Sequence, residues 1–313
     1  MTRKLLPLFV IALSLQACTT SQMVATKPEP AKSSVVIEPE ELARSLASSQ
    51  APSRAGSKLE SRPILLDARK LEDYGPAHAA GAQRVDMSDW TRASREGDGP
   101  KQGLRNVDAW SVRIGALGID EDSTVIVYDE GGMTSAARAW FILRECGVRD
   151  VRVVNGGWAQ LCPALDPRLV QAGSPGEFVP TRFAAREPSD VVTREELKRI
   201  SLDRTRAIID VRTADEYKAG EDKGRRSGHV PGAASVPHKQ MIAESGRLRS
   251  PEEIRALFAG GGTEPDRPAV VYCQSGGRAA FAALAAEHAG LHDVSVYYMS
   301  MGEWSADPSC PME

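Results

Sequence analysis

Two kinds of hydrophobic pattern alternate along this chain. Short runs rich in β-branched residues have the length and composition of buried strands: PILLDAR from Pro63, TVIVYD from Thr124, VRVVNGG from Val151, AIIDVR from Ala207, AVVYC from Ala269 and VSVYYM from Val294. Between them lie stretches with apolar residues at helical spacing: DAWSVRIGALG from Asp108, AARAWFILRECG from Ala136, TREELKRI from Thr193 and PEEIRALFAGG from Pro251. Strands that read as near-continuous apolar runs and alternate with helices predict an α/β fold, a mostly parallel sheet flanked by helices. Gly147 and Gly290 fall where helix C-terminal caps belong.

The pattern occurs twice. VIVYDEGGMTSAA (125–137) aligns with VVYCQSGGRAA (270–280), setting Asp129 on Cys273, Tyr128 on Tyr272, Gly132 on Gly276 and Ala136 on Ala280. Upstream, LLDARKLEDY (65–74) matches IIDVRTADEY (208–217), with Asp67 on Asp210, Arg69 on Arg212 and Tyr74 on Tyr217. A third pair follows, HAAGAQRV from His78 and HVPGAASV from His229, the second copy carrying about eight extra residues within 218–228. Three matched blocks in one order imply a duplicated domain, and 313 residues suffice for two domains of ~150. The expected division is a leader at 1–18, a polar tether at 19–36, a first domain at 37–165, a Gly/Pro/charge-rich linker at 166–190 and a second domain at 191–313.

Cys273 is the position where the copies differ in chemistry. It sits between a strand and a Gly-rich loop that opens a helix, so loop N–H groups and the helix dipole favour its negative form. A thiol with an ordinary pKa of ~8.5 is mostly protonated at neutral pH, and the nucleophile is the thiolate. Gly276 and Gly277 allow successive N–H groups to converge on one anion. A lone cysteine after an apolar strand is usually a buried core residue, but the loop, the helix and the duplicated frame favour catalysis here.

The ordered set D-V-R-x4-Y, G-H-V-P-G-A (228–233), C-Q-S-G-G-R (273–278) and a terminal Glu303-Trp304 pair resembles the tandem-domain rhodanese family of sulfurtransferases. The resemblance covers nearly the whole chain after the leader, and it implies two rhodanese-like α/β domains. In two-domain members the first copy commonly has aspartate where the second keeps cysteine, the pattern of Asp129 and Cys273. The implied activity is transfer of sulfane sulfur from thiosulfate to a thiophilic acceptor through a Cys273 persulfide. Gln274, Ser275, Gly276, Gly277 and Arg278 would bind substrate, with Arg226 or Arg225 as further sources of charge. No metal or organic cofactor is implied. The six-residue loop matches sulfur chemistry rather than the longer loop of the family's phosphatase and arsenate-reductase relatives. Arg278 at the loop's end supplies fixed charge for a dianion and favours thiosulfate, with 3-mercaptopyruvate as the alternative donor. Two departures stand out: Glu216 replaces a substrate-binding arginine before Tyr217, and Met301 stands where the terminal motif has its first Trp, at a pocket wall. They keep open a second class of function, a non-catalytic module that binds an anion or senses oxidants.

Other polar residues have plainer roles. Asp67 and Asp210 are expected to anchor turns with Arg69 and Arg212 as partners, and His78 and His229 to fix the entry to the next strand. Trp158 and Trp304 are expected to pack. The N-terminus has Arg3 and Lys4, an apolar run from Leu5 to Leu15 and then Leu-Gln-Ala-Cys, a bacterial export signal whose ending resembles a lipobox. Cleavage before Cys18 and its lipidation would anchor the protein on the periplasmic side of the cell envelope, since the run is shorter than the ~20 residues of a spanning helix. Cys146 is expected in a helix core, and a disulfide between Cys162 and Cys310 is conceivable in that compartment. The expected partners are a small sulfur donor, a thiol or cyanide acceptor, the membrane and a thiol redox protein, the protein itself being a monomer. A net charge of −3 without a basic block gives no support to nucleic-acid binding.

Overall fold

The computed structural model describes residues 34–48, 62–96, 103–174, 176, 178–218, 226–262 and 267–313. The leader, Cys18, the tether up to residue 33 and Arg225 therefore lie outside the described residues, as does most of the inserted stretch at 218–228.

The first copy runs β1 (Val36–Ile37), α1 (Pro39–Ser48), β2 (Ile64–Asp67), α2 (Leu71–Tyr74), β3 (His78–Ala79), β4 (Gln83–Arg84), α3 (Met87–Ala93), α4 (Val107–Gly115), β5 (Thr124–Tyr128), α5 (Thr134–Cys146), β6 (Asp150–Val154), α6 (Gly157–Ala164) and β7 (Val170–Gln171). The second runs α7 (Arg194–Asp203), β8 (Ala207–Asp210), α8 (Ala214–Tyr217), β9 (Ala234–Ser235), α9 (Pro251–Gly260), β10 (Ala269–Tyr272), α10 (Gly277–His288), β11 (Val294–Val296) and α11 (Ser300–Trp304). Their starts follow local chemistry. Thr193, Thr213 and Ser250 each close a capping box with the glutamate three residues on, satisfying N–H groups that the first turn leaves bare. Gly147 caps α5 at φ 109°, while α10 is capped at Ala289 and its left-handed residue, Gly290, follows one position later.

Each copy builds a parallel sheet. The strand order is β1-β6-β5-β2-β4 in the first and β11-β10-β8-β9 in the second. A parallel bridge from Val191 to Val296 takes the place in the second sheet that β1 takes in the first. Matching registers place Asp67 beside Tyr128 and Asp210 beside Tyr272. Cys273 thus leaves the C-terminal end of an interior strand, the side on which open α/β sheets bind ligands.

One hydrophobic cluster spans both copies, containing Val127, Trp140 and Phe141 of the first and Ile209, Val271 and Phe281 of the second. Helices α5 and α10 pack against each other at its centre, and Arg144 of α5 bonds Glu287 of α10 at 2.9 Å. This explains the composition of α10: between its own sheet and α5 it has no wet face, and Ala279, Ala280 and Ala282 are all fully buried. The stretch expected as a bare linker is docked rather than loose. Val170–Gln171 pairs antiparallel with β3, Thr181 N–H donates to Gly115 O, and Glu145 accepts from the N–H groups of Ser189 and Asp190. Among the described residues no helix is long and apolar enough to cross a membrane.

Candidate functional site

Cys273 is buried, and its sulfur accepts the Gly276 N–H at 3.1 Å. Gly276 has φ 97°, and a Cβ there would stand 2.7 Å from Tyr298 O, so both conformation and space call for glycine. Gly277 has an ordinary φ, but a Cβ on it would lie 2.8 Å from Nη2 of Arg138, so here glycine serves close approach rather than dihedral freedom. The N–H groups of the first turn of α10 have no partner inside the helix.

The loop is clamped from the start of α11. Met301 N–H donates to Cys273 O at 3.1 Å and Gly302 N–H to Gln274 O at 2.9 Å. Ser300 is a non-glycine residue at φ 59°, fully buried; its hydroxyl accepts the Cys273 N–H at 3.1 Å, donates to Tyr297 O at 2.9 Å and lies 3.8 Å from Sγ. Such a conformation is uncommon outside glycine and marks a position held by its surroundings. Ser300 lies in the terminal Tyr297–Trp304 stretch, but sequence reading gave it no role.

The first copy shows what this loop is built to hold. Asp129 fills its own loop, one carboxylate oxygen accepting from Gly131 and Met133 N–H at 3.0 Å each and the other from Ser135 and Ala136 at 3.0 and 3.2 Å. Burial pushes this carboxyl up from its ordinary range against those four donors, which pull it down. In the second copy the sulfur takes one such bond, from Gly276, while Ala280, the counterpart of Ala136, donates to Gly276 O at 2.8 Å as part of its helix.

A profile of the rhodanese-like domain matches residues 51–163 and 193–307. The chain belongs to the rhodanese family. It is 36% identical over 217 residues to the 3-mercaptopyruvate sulfurtransferase of Escherichia coli strain K12, covering 67% of this chain and 75% of the relative. It is 34% identical over 195 residues to the thiosulfate sulfurtransferase of Gallus gallus, covering 61% and 66%. Among solved structures, the 3-mercaptopyruvate sulfotransferase SseA from Escherichia coli superposes with a TM-score of 0.69 at 29% identity, over 85% of this chain and 98% of that one.

Within this rhodanese frame several expected residues take other places. Arg278 is beside Cys273, but its guanidinium is bound by both oxygens of Glu216, at 2.6 and 2.9 Å. Burial lowers its basicity, yet the bonds to Glu216 and the nearness of Cys273 outweigh that and raise it. Arg278 is therefore not the free cation expected, because Glu216 neutralises it. Arg226 is exposed and donates to Asp307 O at 2.8 Å, a backbone contact near the C-terminus rather than one with the loop. Met301 does not wall the pocket: it is 2% exposed and packs with Tyr297 and Trp304 in the core. Cys162 and Cys310 are both free thiols, in separate hydrophobic clusters of the two copies, so the conceivable disulfide is absent. Cys146 is buried, and desolvation pushes its thiol up to about 12.

The anchors behave as expected. Asp67 binds Arg69 at 2.7 Å and Asp210 binds Arg212 at 2.6 Å. His78 and His229 stack on Tyr74 and Tyr217 and each places Nδ1 against the carbonyl of that tyrosine. Tyr128 and Tyr272 accept the N–H groups of Ala79 and Val230, tying the segment after each histidine position to the strand before each loop. Trp158 stacks on Tyr128 and under Arg69, and Trp304 is fully buried, so both pack.

Sequence reading missed the residues that the first copy sends to the site. Arg138 of α5 reaches Tyr298 Oη at 3.1 Å and Ser275 Oγ at 3.5 Å. Arg95, just after α3, lies against the carbonyls of Tyr298 and Met299 at 3.5 and 3.3 Å. No local signal marks either, since both read as ordinary polar positions of a helical stretch.

Proposed function

We propose that this rhodanese-family sulfurtransferase carries sulfane sulfur on Cys273, taking it from thiosulfate and passing it to a thiophilic acceptor such as cyanide or a small thiol. The observation that carries this reading is the Gly276 N–H at 3.1 Å from Cys273 Sγ, at the mouth of a loop whose counterpart grips a carboxylate with four N–H groups. The thiolate is the nucleophilic form of cysteine, and the Gly276 N–H is on hand to receive its charge. The thiolate attacks the outer sulfur of thiosulfate, a new S–S bond forms to Cys273, and the old S–S bond breaks with its electron pair leaving on sulfite. The product persulfide places its outer, negatively charged sulfur among the first-turn N–H groups of α10. A nucleophilic acceptor then takes that sulfur and returns Cys273 as thiolate, so the kinetics are ping-pong. Gln274, Ser275, Gly276, Gly277 and Arg278 line this reaction, and Arg226 is not assigned to it.

The test is sulfur transfer from thiosulfate to cyanide by the chain from residue 19, beside Cys273→Ala, with intact mass after donor treatment. Turnover and a gain of one sulfur, both lost in the variant, are expected. The Glu216–Arg278 pair, which removes one cation from the site, together with the 36% identity to a 3-mercaptopyruvate sulfurtransferase, favours that thiol acid as the second donor to try. Sulfur gain from it alone would replace thiosulfate in this reading, and gain from neither would favour an anion-binding or oxidant-sensing module.

We further propose that Cys18 is lipidated after cleavage of the leader and that the protein works on the periplasmic side of a bacterial envelope, on the Arg3–Cys18 pattern alone. Labelled palmitate incorporated by the full chain in a bacterial host, and lost in Cys18→Ala, checks this; label retained in the variant would refute it.

A further inference from the structure

The attack on thiosulfate gathers a thiolate and a dianion in one buried place, and the cation closest in sequence is already spent on a carboxylate. Arg278 and Glu216 together bring almost no net charge. Among the described residues, two further cations reach the loop region from the copy that lacks the cysteine. Arg138 is 8% exposed, 3.5 Å from Ser275 Oγ and 3.1 Å from Tyr298 Oη, and its guanidinium lies over the Tyr298 ring. Arg95 is half-buried against the Tyr298 and Met299 carbonyls. Among the described residues neither makes an ion pair. The carboxylate that acts on Arg95 is Glu303, which is engaged by the Tyr297 hydroxyl at 2.6 Å.

Both guanidinium groups lie over backbone without side chains. A Cβ on Gly277 would come within 2.8 Å of Arg138 Nη2, and one on Gly302 within 2.9 Å of Arg95 Nη2. Gly277 opens α10 behind Cys273, and Gly302 donates to Gln274 O, so each arginine is seated on one wall of the Cys273 loop. Burial, with the like charge of Arg138, draws Arg95 down from its ordinary value, while Tyr298, Cys273 and Glu303 oppose that. Two like charges held near one another without a carboxylate between them cost free energy that a visiting anion would offset.

We propose that Arg95 and Arg138 form the subsite that holds the oxyanion end of the sulfur donor while its outer sulfur meets Cys273. The inference rests on Cys273 as the sulfur carrier. In the attack the sulfonate end stays on the arginines as the S–S bond breaks, and it leaves as sulfite with the electron pair. Discrimination between donors then resides in the copy without the nucleophile, and the duplication is what supplies it.

The experiment uses the full chain and the variants Arg95→Gln, Arg138→Gln and Arg138→Lys, each checked for native far-UV circular dichroism. Two readouts are taken: single-turnover sulfur loading from thiosulfate, and alkylation of Cys273 by iodoacetate against uncharged iodoacetamide. Each glutamine variant is expected to lose roughly 10- to 100-fold in loading, the loss of one charged hydrogen bond, with Arg138→Lys recovering part of it. Iodoacetate should slow in the same variants while iodoacetamide keeps its rate, which a merely structural role would not produce. Unchanged loading, or equal slowing of both alkylating agents, would overturn the subsite. If Arg138→Gln does not fold, Arg95→Gln, whose side chain is only half-buried, decides. A parent protein that does not load from thiosulfate but prefers iodoacetate, with the preference lost in the variants, would retain the subsite and discard the donor. A parent and variants that load equally would do the reverse.

Discussion

Glu216 holds Arg278 by its two terminal guanidinium nitrogens, at 2.6 and 2.9 Å, directly beside the cysteine loop. The bonds from Arg278 bring the Glu216 carboxyl down to about 2, even against its partial burial. Glu216→Gln keeps the capping bonds to Thr213 but frees the cation. The KM for thiosulfate should fall by roughly tenfold, the worth of one charged hydrogen bond; a KM that rises would mean that Arg278 needs its carboxylate to stay in place.

The same pair sets a pH dependence. Because the folded value of Glu216 is depressed, its contribution to stability is fully present above the unfolded value of about 4.5 and is lost as pH falls towards 2. Urea midpoints measured across that window should decline less steeply in Glu216→Gln than in the parent, and parallel declines would contradict the assignment.

Ser300 combines two costs that substitution separates. Ser300→Ala leaves the buried Cys273 N–H without its acceptor and should destabilise by ~1–3 kcal/mol. Ser300→Gly relaxes the φ of 59° yet loses the same hydroxyl. Denaturant midpoints should therefore rank glycine above alanine, while single-turnover sulfur loading slows in both.

Asp129 needs to accept at both oxygens, each taking two N–H bonds. Asn in its place turns one oxygen into a donor facing two donors. Asp129→Asn should lower stability by ~1–3 kcal/mol, read from urea unfolding, without removing sulfur loading at Cys273.

The shared core predicts joint unfolding of the two copies. Ala282→Leu overpacks the fully buried face of α10 and should cost ~1–3 kcal/mol. Tryptophan fluorescence and circular dichroism should report one coincident transition shifted to lower denaturant, whereas two separated transitions would show that the copies unfold independently.

Sequence periodicity and internal repetition determined the α/β class, the duplication, the positions of the main strands and helices, and the exchange of Asp129 for Cys273. They did so because strand and helix spacing and turn chemistry are local, and because the two copies carry the same turn anchors: Asp67 with Arg69 and Asp210 with Arg212 lie two residues apart, within reach of any such turn. The charge around the sulfur was decided only by tertiary structure. Arg138 meets Ser275 across 137 residues and Glu216 meets Arg278 across 62, and no pattern along the chain encodes which distant side chains packing brings within 4 Å. Arg226 shows the converse: it lies in the stretch before His229, yet its guanidinium ends on Asp307 O. An ion pair is a property of distance and burial, so the sequence singled out Cys273, and the packing of α5 against α10 decided which arginine reaches its loop.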